Sequence, residues 1–510
     1  METRCIFSLV MGAALSLAGS VCAQVVINEI HCDPPNAKAY PTEFIELYNP
    51  LPNAVDLSGW AFTRGIGYTF PPGTILAAHS YLVVAESPAL VVRFFAAMAL
   101  GPWLGSLGNE GETIELVDGF GAQVDTVSYG SGFPWPTVGD EPERSLQLIN
   151  EGLDRQLGGS WRSAPPTPGA RNSVAADNAP PQIRQVSHNP EQPASAQIVT
   201  ITAKITDPDG VQNVTLDYQI VEPGNYLPLA TTAFTNNWTT MAMRDDGANG
   251  DAVAGDSVFS VQIPSDVQRH RRLIRYRLNA SDGSGQAIRV PYADDPSPNF
   301  AYFVYDGVPA WTGAVRPGFT AAQTFETNIT RRVRPYHLLS RAQDVADCQY
   351  NSAYSDNVFR FEGALVVDRR VYDHIHYHVR GQTFVYVTGK NKWKLKFNRG
   401  HWFEMPDDYA LTKTTVETLN WSGLSPSAAV WNRGGRVWTK RCSIASATWR
   451  GRPRLALRIS SFESSTRPRR YLRRTNTKAT SGGSIWRLRV QTTVSRRSTG
   501  CRMETFSGCR

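Results

Sequence analysis

Apolar and polar residues alternate in short runs along most of this chain, and the runs are separated by turn-forming clusters. Val25-Val26-Ile27-Asn28-Glu29-Ile30 opens the series, and Glu43-Phe44-Ile45-Glu46-Leu47-Tyr48-Asn49 alternates next. A two-residue period over so few positions predicts half-buried strands of an antiparallel sandwich. Pro71-Pro72-Gly73 and Gly108-Asn109-Glu110-Gly111 mark turns between strands. Glu29, Glu46 and Asn49 read as polar side chains closing turns and strand ends rather than as a site.

Ala179-Pro180-Pro181 is a linker signal. After it, Val199, Ile201, Ala203 and Ile205 alternate with polar residues, Asp207-Pro208-Asp209-Gly210 turns, and Val214, Leu216 and Tyr218 alternate again. This pattern predicts a β-hairpin within a second sandwich that runs to about Asp306. Asp245, Asp246, Asn249, Asp251 and Asp256 crowd a Gly-rich stretch there. Calcium takes six to eight oxygen ligands, which such a loop could supply in part, so these five residues are a candidate metal site. The spacing is not that of an EF-hand and no Glu closes the loop, and Asp and Gly also simply form turns.

From about Ala310 the texture changes. Residues Val358 to Asp368 read as strand, break at Gly363, strand, and another strand ends at Tyr377-His378-Val379-Arg380-Gly381. In Lys392-Trp393-Lys394-Leu395-Lys396-Phe397, a strand would place Trp393, Leu395 and Phe397 on one face and Lys392, Lys394 and Lys396 on the other. A cationic face over an apolar core can hold a nucleotide's phosphates, and it can equally be a solvated strand face. His374, His376 and His378 share a strand face without obvious carboxylate partners, and are expected to be surface residues rather than a metal site.

Length and charge refine the picture. A chain of 510 residues has room for several domains, and 41% hydrophobic residues with 41 Gly and 33 Pro excludes a wholly disordered chain, a coiled coil and collagen. The net charge of +7 is unevenly spread: residues 433–510 hold 18 Arg, 2 Lys, 2 Glu and no Asp, so the first 432 residues are net acidic. The amino terminus has Arg4, an apolar run from Ile6 to Ala18, and Val21 and Ala23 at the small-residue positions of a secretory cleavage site. This predicts a signal peptide over 1–23 and a secreted or cell-surface protein. The run is too short to span a membrane, and no later segment is long and apolar enough. Cys22 lacks the upstream Leu of a lipoprotein signal. Once the signal and the tail are set aside, only Cys32 and Cys348 remain, so no disulfide framework is expected.

Several of these runs are recognisable. Ile27-Asn28-Glu29-Ile30, residues 43–49, Val55-Asp56-Leu57-Ser58-Gly59-Trp60, Glu112-Thr113-Ile114-Glu115-Leu116, Trp161 and Thr167-Pro168-Gly169-Ala170-Arg171-Asn172 resemble, in order, a lamin-tail domain. The resemblance covers 24–173 and implies an immunoglobulin-like sandwich, used in exported bacterial proteins as a binding or spacing unit. Residues 178–308 are similar to the immunoglobulin-like spacers of bacterial surface proteins. Val379-Arg380-Gly381, Lys392 to Phe397 and Thr418-Leu419-Asn420-Trp421 resemble the N-terminal part of a CotH-type, spore-coat kinase domain, over 309–432. That resemblance implies ATP and a divalent metal, with one of Lys392, Lys394 or Lys396 contacting phosphate.

Phosphoryl transfer needs carboxylates to hold the metal and orient the acceptor. Beyond Asn432 there are only Glu463 and Glu504, so the catalytic half is absent and no catalytic residue is assigned. A basic nucleic-acid-binding arm is one reading of this tail. A shifted reading frame explains it better. Back-translated and read two nucleotides later, the residues around Trp438, Gly482 and Arg502 permit Leu-Asp-Glu-Ala-Leu, Gly-Gly-Val-Tyr-Leu-Ala and Leu-Pro-Asp-Gly-Asn-Ile-Phe-Arg. These resemble phrases of the CotH-type C-terminal half. The expected protein is mainly β: tandem immunoglobulin-like β-sandwiches, an incomplete α+β kinase-like domain, and a disordered basic tail over 433–510. Its expected partner is an extracellular protein or cell-surface ligand, with no specific nucleic acid and no transmembrane span.

Overall fold

The computed structural model describes residues 25–421 except 36, 139–142, 315–320, 331–334, 351, 355–357, 381–391 and 405–414, and beyond 421 only short strand pieces between 441 and 489. The expected signal peptide and most of the basic tail therefore lie outside the described residues. The protein is mainly β, and its chain divides into two compact units.

The first unit holds residues up to 129 together with 140–156 and 164–175. Strands β1 (Val26–His31), β2 (Phe44–Tyr48), β3 (Ala61–Arg64), β4 (Tyr68–Thr69) and β5 (Tyr81–Ala85) precede helix α1 (Pro88–Phe95). After it come β6 (Ala99–Leu100), β7 (Gly111–Val117), β8 (Gln123–Gly130) and β9 (Ser145–Leu148). One sheet runs β9-β1-β2-β5-β6 and a second β8-β7-β3-β4, the two-sheet arrangement expected from the short alternating runs. Ile27, Phe44, Ile45, Leu47, Ile114 and Leu116 are fully buried. Cys32 is buried, as is Cys348 in the second unit.

The second unit contains residues 130–139, 157–163 and everything from 176 onward. Its sandwich is built from β10 (Gln182–Asn189), β11 (Val199–Thr206), β12 (Val211–Val221), α2 (Thr232–Asn236), β13 (Thr239–Ala242), β14 (Val258–Ile263), β15 (Leu273–Asp282), β16 (Ala287–Val290) and β17 (Phe300–Phe303). The sheets run β10-β11-β14 and β13-β12-β15-β16, with β17 also pairing with β15. The expected hairpin between residues 199–206 and 211–218 does not form. These strands fall in different sheets, and Asp207–Gly210 turns the corner between them. Both strands have an apolar face, so the pair buries more by facing across the core than by lying edge to edge. Ile201, Ile205, Leu216 and Leu278 meet in that core.

The third segment shares this unit. It comprises β18 (His337–Leu339), α3 (Ala342–Tyr350), β19 (Phe361–Val367), β20 (Arg370–Arg380), β21 (Lys392–Lys396) and β22 (Thr418–Trp421), with sheet order β18-β19-β20-β21-β22. Gly363 does not break β19 as expected. A Cβ there would lie 2.5 Å from the Leu339 carbonyl oxygen, so the glycine lets the two strands close up. The hairpin from β19 to β20 turns at Asp368 and Arg369, both at positive φ. Trp393, Leu395 and Phe397 are buried with Tyr377, Ile375 and Leu419, as the alternation predicts.

Candidate functional site

In the first unit the polar residues of the strand motifs are internal fasteners. Glu29 is fully buried and accepts hydrogen bonds from Ser145 Oγ, Gln147 Nε2, Thr167 N (2.9 Å) and Thr167 Oγ1 (3.1 Å). Glu46, also fully buried, accepts from Asn28 Nδ2 (2.8 Å) and Gly169 N. Asn172 Nδ2 donates to the Asn28 and Leu148 carbonyls. The Thr167-to-Asn172 run is thus stitched onto the middle of β1 and β2, whereas only Asn49, bonded to the Asn53 and Ala77 carbonyls, closes a turn. Burial, with Glu29 nearby, pushes the Glu46 carboxyl up to about 8. Burial also raises Glu29.

The acidic loop of the second sandwich brings three of its five candidates together. One carboxylate oxygen each of Asp245, Asp251 and Asp256 lie within 4.8 Å of one another. Asp246 is exposed and outside that group, and Asn249 is an exposed turn residue at φ +52°. Backbone N–H groups already engage the acids: Gly255 and Ser257 donate to Asp245 (2.7 and 2.9 Å) and Gly247 to Asp251. The three carboxylates fit a cation in charge and spacing, with part of their lone-pair capacity spent on the turn.

On the third sheet, the antiparallel register forms two cross-strand rows. Glu362, His376, Lys396 and Thr418 face one another in one, and His378, Lys394, Asn420 and Glu463 in the other. Lys396 is exposed, Lys394 is half-buried with its ammonium 5.2 Å from the Phe359 ring, and the side chain of Lys392 lies outside the described residues. Burial, and Lys396 beside it, lower His376.

The three histidines are not the surface residues expected. His374 is fully buried and His378 nearly so. His374 Nδ1 meets Glu362 Oε1 at 2.9 Å, and its Nε2 meets Asn299 Oδ1 at 2.8 Å. The reason is that the second sandwich covers this end of the face. At its centre Arg275, from β15, is fully buried and donates from Nε to Asp373 Oδ2 (2.7 Å) and from Nη2 to Asp373 Oδ1 (3.1 Å). Tyr226 OH and Asn299 Nδ2 also donate to Asp373 (2.7 and 3.0 Å), and the Arg275 Nη1 reaches Gln219 Oε1 and the Leu227 carbonyl. Burial alone would raise the Asp373 carboxyl, but Arg275 and then His374 reverse this and hold it below the usual carboxylate range. Tyr226 in turn belongs to an apolar cluster with Val221, Leu273, Phe303, Leu339, Ala364 and Val366, drawn from the sandwich and the third segment. Sequence reasoning missed this cluster; the only available sign was an arginine set between Ile274 and Tyr276 in a strand run.

The stitching of residues 167–172 onto β1 and β2 is the structural counterpart of the strand motifs. Residues 19–131 match the lamin tail domain. The match covers the part of the first unit that carries the Asn28, Glu29, Glu46 and Asn49 fasteners, so the lamin-tail sandwich is a feature of this chain. No curated protein matches the sequence. Among solved structures, the Yersinia pseudotuberculosis adhesin InvE is 11% identical, over 65% of this chain and 78% of that one, with a TM-score of 0.16. Purple acid phosphatase PPD1 from yellow lupin is 10% identical over 61% of this chain and 48% of its own, with a TM-score of 0.19. The alpha-2-macroglobulin of E. coli is 10% identical over 76% and 27%, at 0.16. At such scores these likenesses carry no argument. Among the described residues, no helix is long and apolar enough to cross a membrane.

Proposed function

We propose that this is an exported protein whose lamin-tail and immunoglobulin-like sandwiches serve as binding or structural modules at or beyond the cell surface, with a CotH-like third segment that does not transfer phosphate. The observation that carries this reading is how the buried carboxylates are spent. Glu29 and Glu46 fasten the lamin-tail sandwich, and Asp373 neutralises Arg275 inside the second unit. On the lysine-bearing face of the third sheet, the cross-strand rows contain two carboxylates among the described residues, Glu362, already engaged by His374 and Leu229 N, and Glu463, opposite Asn420 at the far end of the second row. Metal-assisted phosphoryl transfer needs carboxylates for the metal and another to orient the acceptor hydroxyl.

An active kinase is the second reading, favoured by Lys394 and Lys396 lying two positions apart on a polar strand face above an apolar core. The two separate in one assay. Purified full-length protein is incubated with γ-labelled ATP, magnesium or manganese, and casein as acceptor. We expect no label in the protein or in casein; transfer that disappears in a Lys392→Ala, Lys394→Ala, Lys396→Ala triple variant would replace the first reading by the second. Export predicts a mature amino terminus near Gln24, read by mass spectrometry of the secreted or surface fraction.

A further inference from the structure

The outer face of β15 carries a second arginine whose setting differs from that of Arg275. Arg277 is 7% exposed, and its guanidinium lies 3.4 Å from the centroid of the Trp238 ring and 5.5 Å from that of Phe234. Its Nε is buried without a hydrogen-bond partner, and no carboxylate reaches ion-pair distance of it among the described residues. Asp217, directly opposite on β12, is bonded instead by Thr240 Oγ1 (2.6 Å) and Asn279 Nδ2 (2.9 Å). Arg289, exposed on β16, faces Asn279 and so lies diagonal to Arg277 on the same face. Burial and the neighbouring Arg289 together push the Arg277 guanidinium down to about 10.

A buried guanidinium ordinarily has its donors matched, because an uncompensated ion in a low-dielectric site is costly. Here stacking on Trp238 covers the flat face of the cation, but it leaves the Nε–H without an acceptor. Arg277 and Arg289 thus share a sheet face with the carboxylate of Asp217. We propose that Arg277 and Arg289, held by the Trp238 platform, form an oxyanion-binding subsite on the second sandwich that takes a carboxylate, phosphate or sulfate group of a ligand. The planar fork of an arginine suits two oxygens of such a group, and a lysine would not reproduce it. The subsite does not depend on whether the third segment transfers phosphate.

The test is isothermal titration of the full-length protein with sodium phosphate, sodium sulfate and sodium acetate, each at constant ionic strength balanced with chloride. Saturable binding of at least one anion is expected, and the preference between tetrahedral anions and acetate assigns the ligand group. Arg289→Ala, an exposed position, should weaken that binding at least fivefold with an unchanged melting temperature. Arg277→Lys should weaken it at least tenfold although the charge is kept, and Arg64→Ala, in the other unit, should bind as the unaltered protein does. The proposal is overturned if no anion binds saturably, or if Arg289→Ala and Arg277→Lys both leave the affinity unchanged.

Discussion

Replacing Asp373 by asparagine should unfold the second unit locally while leaving its shape almost unaltered. The carboxylate takes hydrogen bonds from Arg275 Nε and Nη2, Tyr226 OH, Asn299 Nδ2 and the His374 backbone N–H. An amide of the same size would turn two hydrogens toward these donors and leave the fully buried Arg275 without a counter-charge. Removing one partner of such a pair costs about 3–5 kcal/mol. At 1.4 kcal/mol per tenfold, that is roughly two to three and a half orders of magnitude in the opening equilibrium. Hydrogen–deuterium exchange of β15 and β20 in the full-length protein reads this directly. The carboxyl titrates below its ordinary value, so its contribution is present above the unfolded pKa near 3.9 and is lost as pH falls through the lower folded value. The loss caused by Asp373→Asn should therefore be constant between pH 5 and 8. A companion Arg275→Met should restore much of the protection, because it removes the orphaned ion, although Gln219 and the Leu227 carbonyl then lack their donor. If Asp373→Asn changes exchange less than tenfold, or if Arg275→Met makes the double variant worse, the electrostatic account is wrong.

In the lamin-tail sandwich the sign of the pH effect is opposite. The folded Glu46 carboxyl keeps its proton to about 8 while the unfolded one releases it near 4.3, so stability should fall as pH rises between these values. Glu46→Gln should flatten the fall in melting temperature of that unit between pH 5 and 8, with Glu43, also raised to about 8 by burial, leaving a residual slope; an unchanged slope would refute the assignment. Calcium at Asp245, Asp251 and Asp256 should raise the melting temperature of the second unit, by about 2.7 kcal/mol of stabilisation at a hundred times the dissociation constant. EGTA should reverse the rise and Asp251→Asn abolish it, whereas superimposable melting curves with calcium and with EGTA would reduce the loop to a turn.

How much of this was legible in the sequence depended on the range of the forces involved. Local alternation was sufficient for the strands: Trp393, Leu395 and Phe397 went inward because a pleated strand leaves them no other common face. The lamin-tail motif was legible as a string of residues, but its reason was not. Glu29 and Thr167 are 138 positions apart, and nothing in either neighbourhood announces the bond. Strand 199–206 and strand 211–221 were each correct, and their relation was wrong, because alternation says which face is apolar and not which partner covers it. The burial of the histidines is hidden for a similar reason. His374 occupies the polar face of its strand, and polarity suggests solvent until the second sandwich, with Asn299 as a partner, covers that face, while His378 is packed against Phe359. Of the metal candidates, Asp245, Asp251 and Asp256 converge and Asp246 does not, a distinction set by the loop's turns rather than by its composition.

The expected domain boundary near residue 308, so natural a place to cut the chain, is not a joint. Gene shuffling that separated the second sandwich from the third segment would hand one descendant the guanidinium and the other the carboxylate, each without its mate on a face stripped of its cover. The two segments should therefore be inherited as a pair, and a relative that kept only one of them should carry a neutral residue at the position left without its mate.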